Sequence, residues 1–148
     1  MSQKTILQHS ITYETAEAAV RSAVKFARER QIALSFVVVD PGGYLVAAAR
    51  MDGAPFITVD VARGKAYASA ATGGQSGAVL AGRYNDNPMV WANLSAMGHG
   101  APLLPARGAL PIFVEGNFIG AMGASGAPSE VDEAAVAHAI QSIGGTFS

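Results

Sequence analysis

Residues 36–39 read Phe-Val-Val-Val and run directly into Asp40-Pro41-Gly42-Gly43. A strand that is apolar at every position has no face to give to water, so its sheet must be covered on both sides. The Pro-Gly-Gly turn reverses the chain, and "YLVAAAR" returns as the second strand of a hairpin. "ALPIFVEG" and "NFIGAMGASG" predict a second hairpin about a short Glu-Gly-Asn turn. Hairpins pair antiparallel, so the expected core is an antiparallel sheet between two layers of helix.

The helices sit around these hairpins. Residues 12–30 carry Ala16, Ala19, Val20, Ala23, Val24 and Ala27 at helical spacing, with Thr12 as N-cap. Arg21, Lys25, Arg28 and Glu29 fall mostly off that stripe and read as a solvated face. "ITVDVARGKAYASAA" predicts a second helix capped by Thr58, with a costly mid-helix Gly64 that points to close packing or a nearby ligand. Residues 76–84 suit a short helical turn, and Asn87-Pro88 opens another helix. The stretch "GHGAPLLPARG" is irregular. The last helix follows "PSEVDEA", with Ser129 as cap, Asp132 at the capping-box position and Gly144 as the stop. No repeat or linker divides the chain, which predicts one domain over residues 1–148.

Composition removes several functions. The net charge is −1 and no basic run exists, so nucleic acid is not an expected partner. There is no cysteine, hence no thiolate nucleophile, zinc–thiolate site or thiolate haem ligand. The histidines are too far apart to form a metal-ligand spacing. "ATGGQSG" lacks the Gly-Lys-Ser/Thr ending of a phosphate loop, and Ser76 and Ser125 have no triad context. No run is long enough to span a membrane, and the N-terminus lacks a signal peptide's apolar core, so a cytoplasmic protein is expected. With 14% charged residues there is little charged surface, which favours a homo-oligomer.

"VVDPGGYLVAAARMDGAP", then "DVARGKA", "GALPI", "GNFIGAMGASG" and "EVDEA", in that order, resemble the GlcG/HbpS-like haem-binding family. That family includes the C-terminal domain of PduO-type proteins. The resemblance implies an α+β (α/β-type) profilin-like three-layer fold, commonly homo-oligomeric. It also implies haem as a cofactor in some relatives, and a link to small-acid or diol catabolism in others. Where the family usually has a second glycine before the third strand, this chain has Ala109 after Gly108, so a left-handed backbone is not expected at 109.

The residues able to carry chemistry follow from these motifs. Arg50 and Asp52, two apart at a strand end, are expected on one face at the mouth of a cleft beside the second helix. There Arg50 would fork onto a carboxylate and Asp52 would act as acceptor or base, or the two would simply pair and close the hairpin. Phe56 would line the cleft or enter the core. Lys65, matching the family's Lys-Ala, would anchor a carboxylate or move a proton, or be a solvated charge. His99, in a Gly-flanked loop, is a better-placed general base or axial haem ligand than His9 or His138. Met51 and Met97 are further iron ligands or core filling. Arg107-Gly108 would add a second cation and an anion-binding backbone, or remain a solvated loop.

Three functions stay open at this point. One is a haem or tetrapyrrole-binding module using Arg50, Lys65, Arg107 and His99. Another is a metal-independent tautomerase, hydratase or lyase acting on a small organic acid, with Asp52, Lys65 or His99 moving protons. The last is an oligomeric accessory protein without chemistry.

Overall fold

A computed structural model describes residues 2–97 and 100–148. The order is α1 (Tyr13–Glu29), β1 (Ser35–Val39), β2 (Leu45–Arg50), α2 (Ile57–Ala71), α3 (Gly77–Asp86), α4 (Pro88–Ser95), β3 (Ala109–Val114), β4 (Asn117–Ser125) and α5 (Ser129–Ser142). The strands form one sheet in the order β2-β1-β4-β3, with every neighbouring pair antiparallel.

The apolar run 36–39 lies in β1, buried at every position. Its even residues Phe36 and Val38 join the cluster formed with α1 and α5. Its odd residues Val37 and Val39 pack on Ala62, Ala66 and Ala70 of α2. One strand therefore divides its side chains between two helical layers, as the strand period of two requires. The α+β three-layer expectation holds. Beyond α2, Ala68, Leu80, Trp91 and Leu103 form a smaller cluster that hangs α3 and α4 on its outer side.

Turn chemistry sets both hairpins. Asp40 Oδ1 accepts from the amides of Gly42 (2.9 Å) and Tyr44 (3.0 Å), folding the first turn around its own side chain. Glu115 and Gly116 both have positive φ, 52° and 79°, the paired left-handed residues of a tight type I′ connection.

α2 lies unusually close to the sheet. A Cβ at Gly123 would stand 2.3 Å from the Ala62 carbonyl oxygen, so only glycine permits this approach. Gly64, the mid-helix glycine, faces Leu104 and Pro102, and its carbonyl accepts from Leu104 N at 3.0 Å. Close packing is the reason for that costly residue.

Two helix starts differ from expectation. Thr58 lies inside α2, not at its cap. Its hydroxyl donates to the Pro55 carbonyl (2.7 Å) and accepts from Ser35 Oγ (2.7 Å), so it ties the corner to β1. α5 starts at Ser129 with Pro128 in the capping position. Asp132 does reach back, but to Ala127 N at 3.1 Å. Gly144 ends the helix at φ 77°, as expected. The turn expected at 76–84 is a full helix, α3, capped by Ser76.

Candidate functional site

The motif residues gather at one end of the sheet. Ser35 pairs with Arg50 on one side and Ser125 on the other, and Gly108 O accepts from the neighbouring Ala124 N. Arg50 and Gly108 therefore stand three strand spacings apart, roughly 14 Å. That distance separates two arrangements of charge.

The first is an open cleft of about 410 Å³ lined by Val24, Arg28, Ala49, Arg50, Met51 and Asp52. β2 ends at Arg50, and Gly53, at φ 91°, turns the chain away. Asp52 thus reaches the cleft from the turn and not from the strand. The cleft lies against α1, through Val24 and Arg28, and not beside α2. Among the described residues Arg50 makes no ion pair with Asp52. Its Nη1 donates to the Ala54 carbonyl at 2.9 Å, which fixes the arm of the guanidinium and leaves other donors available. Met51 Sδ lies 3.5 Å from Leu34 N. Phe56, just past the corner, is 79% exposed and lines neither cleft nor core.

The second arrangement is buried. Lys65 Nζ donates to Asp132 Oδ2 at 3.1 Å and to the Ala124 carbonyl at 3.0 Å, with side-chain exposures of 8% and 3% for the pair. Gly108 makes room for it. At φ 126°, a Cβ there would fall 2.6 Å from Nζ. Burial pushes the Asp132 carboxyl above its ordinary pKa, and the lysine's charge and hydrogen bond only partly offset this. Next to it Arg107 forks onto Glu133 through Nε (3.1 Å) and Nη2 (3.2 Å). Lys65 and Arg107 are thus matched one-to-one by consecutive acids of α5, and neither charge faces the Arg50 cleft. Ala109 begins β3 with no left-handed φ, as its side chain requires.

His99 lies outside the described residues. Gly100, next in sequence, lines a pocket with Gly42 and Gly43 at the turn of the first hairpin, the opposite end from Arg50. His9 and His138 are exposed, the latter beside Phe26 with ring centroids 5.2 Å apart.

A family model described as "haem degrading protein HbpS-like" matches residues 11–141. The chain belongs to the HbpS-like family. Its fold is similar to that of Klebsiella pneumoniae protein ORFY, with 24% identity, 97% of each chain covered and a TM-score of 0.84. It is similar to a double mutant of Streptomyces reticuli HbpS at 25% identity, covering 96% of this chain and 92% of that one, TM-score 0.81. A PduOC:haem complex is similar at 21% identity, covering 93% and 98%, TM-score 0.82. No curated protein sequence matches the chain significantly.

In this HbpS-like chain two features of the site escaped the sequence. Arg28 sits one helical turn after Val24, on what reads as the solvated face, and only the docking of α1 against β2 brings it to Arg50. Asp132 reads as a helix cap, and its role as counter-ion of Lys65 depends on a contact 67 positions away. The signal for the latter was indirect: a lysine two turns into a small-residue helix needs a buried acid somewhere.

Proposed function

We propose that this protein binds haem, or a tetrapyrrole of the same acidic type, in the cleft at the end of β2. The observation that carries this is the pairing of Arg28 and Arg50 with an apolar lining in one open cleft. Two guanidinium groups suit two propionates, each able to accept a forked pair of hydrogen bonds. Val24, Ala49 and the Met51 side chain offer the ring an apolar surface. The family match and the fold shared with a PduOC:haem complex support the same ligand class.

The donor set fits. Met51 lines the cleft and its thioether is an accepted type of haem-iron ligand, but Sδ accepts from Leu34 N at 3.5 Å and would have to turn away from that amide to reach iron. Asp52 at the rim disfavours a carboxylate on its own side, so the anionic edge of the ring is directed to the arginines. When bound, the iron supplies redox and ligand-exchange chemistry. The protein's part is to orient the ring and neutralise its acids.

A metal-independent enzyme acting on a small acid has less support. Lys65, its leading proton carrier, is already shared between Asp132 and the Ala124 carbonyl.

The test is a haem titration of the purified chain followed in the Soret region, with Arg28→Ala, Arg50→Ala, Met51→Leu and His99→Ala alongside. Saturable one-to-one binding weakened by the arginine variants supports the site, and an altered band position in Met51→Leu assigns the thioether. Binding indifferent to both arginines refutes the cleft. A band lost only in His99→Ala would move the ligand elsewhere.

A further inference from the structure

At the other end of the first hairpin, about 20 Å of strand away, lies a pocket that the haem site does not use. It has a volume of about 150 Å³ and is lined by Gly42, Gly43, Arg63, Tyr67, Gly100 and Ala101, with Tyr44 at its edge. Arg63 and Tyr67 are one turn apart on α2 and share a face. The Arg63 Nε atom is buried and has no hydrogen-bond partner, and Arg63 has no ion pair among the described residues.

We propose that this pocket is a binding site for a small carboxylate, held by the Arg63 guanidinium against the glycine turn. Arg63 is the one charged side chain among the described residues that line it, so the pocket is cationic. The carboxylate of the adjoining turn does not cancel that charge by pairing. Asp40 Oδ1 is taken by the amides of Gly42 and Tyr44. The N–H groups of the planar guanidinium supply the fork that matches a carboxylate edge.

The glycines shape the wall. Gly43 has φ 84°, and a Cβ there would stand 2.7 Å from the Tyr67 ring, so the ring lies directly on the turn's backbone. Gly42 and Gly100 add no side chain to the wall, so a ligand can approach the main chain there. A volume near 150 Å³ is that of about five liquid waters, which suits an acid of about two to four carbons and excludes a porphyrin. A single arginine balances a monoanion. Phosphate, with more charge to neutralise, is the poorer match.

The experiment is an NMR titration of the haem-free, full-length protein with sodium propionate, using sodium chloride at equal ionic strength as the blank and inorganic phosphate as the rival oxyanion. The expected result is saturable shifts of the Gly43, Tyr44 and Ala101 amides and of the Arg63 Nε–H. Arg63→Gln should weaken binding at least tenfold, and Arg63→Lys should not restore it, because the fork is lost. Ala101→Asp, which leaves Arg63 in place, should also abolish binding by putting a like charge beside the ligand. Shifts equal to those in chloride, unchanged binding in Arg63→Gln, or phosphate binding as tightly as propionate would each overturn the proposal. Haem titration of Arg63→Gln should match that of the unmodified protein, so either site can fail without the other.

Discussion

Removing one partner of the Lys65–Asp132 pair should unfold the protein far more easily than removing both. In Asp132→Asn the side chain keeps the acceptor that holds Ala127 N at 3.1 Å. What it loses is the charge facing Lys65, whose ammonium then keeps only the neutral Ala124 carbonyl, at 3.0 Å, among the acceptors of the described residues, in a site with 8% exposure. Leaving a buried charge without its counter-ion costs about 3–5 kcal/mol. For a chain of 148 residues this corresponds to a fall in Tm of roughly 6–20 °C. Replacing both groups by apolar ones of similar size, Lys65→Met with Asp132→Leu, removes two desolvation costs along with the attraction. The double variant should lie within about 2 kcal/mol of the parent, less Ala127's lost hydrogen bond. Urea unfolding of the parent, Lys65→Met, Asp132→Leu and the double variant closes a double-mutant cycle. A double variant as unstable as the sum of the singles would refute the reasoning, since it would mean the two groups act independently.

The same pair has a pH signature. Burial holds the Asp132 pKa above its ordinary value, so the folded chain binds that proton more tightly than the unfolded chain. Its contribution to stability is therefore greatest below the ordinary carboxylate pKa and declines as pH rises through the raised one. Lys65→Met, which removes the offsetting cation, should widen that window upward, seen as a Tm that recovers on acidification from pH 7 to pH 5. A Tm in that variant that falls over the same range would contradict it. Gly123→Ala should cost about 1–3 kcal/mol by overpacking, because the new methyl meets the Ala62 carbonyl, a backbone atom, at 2.3 Å. Denaturant unfolding with an unchanged m-value checks this, and a neutral result would mean α2 lifts freely from the sheet.

Much of the architecture was legible in the chain because local chemistry dictated it. Phe36–Val39 demanded cover on both faces and received it. Thr12 caps α1 through its side chain, accepting from Thr15 N at 3.1 Å. Thr58 was harder: a threonine at a helix start looks like a cap, and its bond to Ser35 spans 23 positions that no local pattern reveals. The candidate site was legible in membership more than in arrangement. Arg50, Asp52, Lys65, Arg107 and Gly108 all come to one end of the sheet. Lys65 and Arg107, however, are neutralised by Asp132 and Glu133, whereas Arg50 gains Arg28 from a helix face that periodicity assigns to solvent. Charge pairing between distant segments is a property of packing, and spacing along the chain does not encode it.

In the proposed complex Arg28 and Arg50 hold the acids of a tetrapyrrole. The most direct measurement is the haem dissociation constant of the Arg28→Ala/Arg50→Ala double variant against the parent, at matched ionic strength. Loss of two forked, charge-assisted contacts at about 1.5 kcal/mol or more each predicts a dissociation constant raised at least a hundredfold. An unchanged constant, with the variant still folded, would place haem outside this cleft.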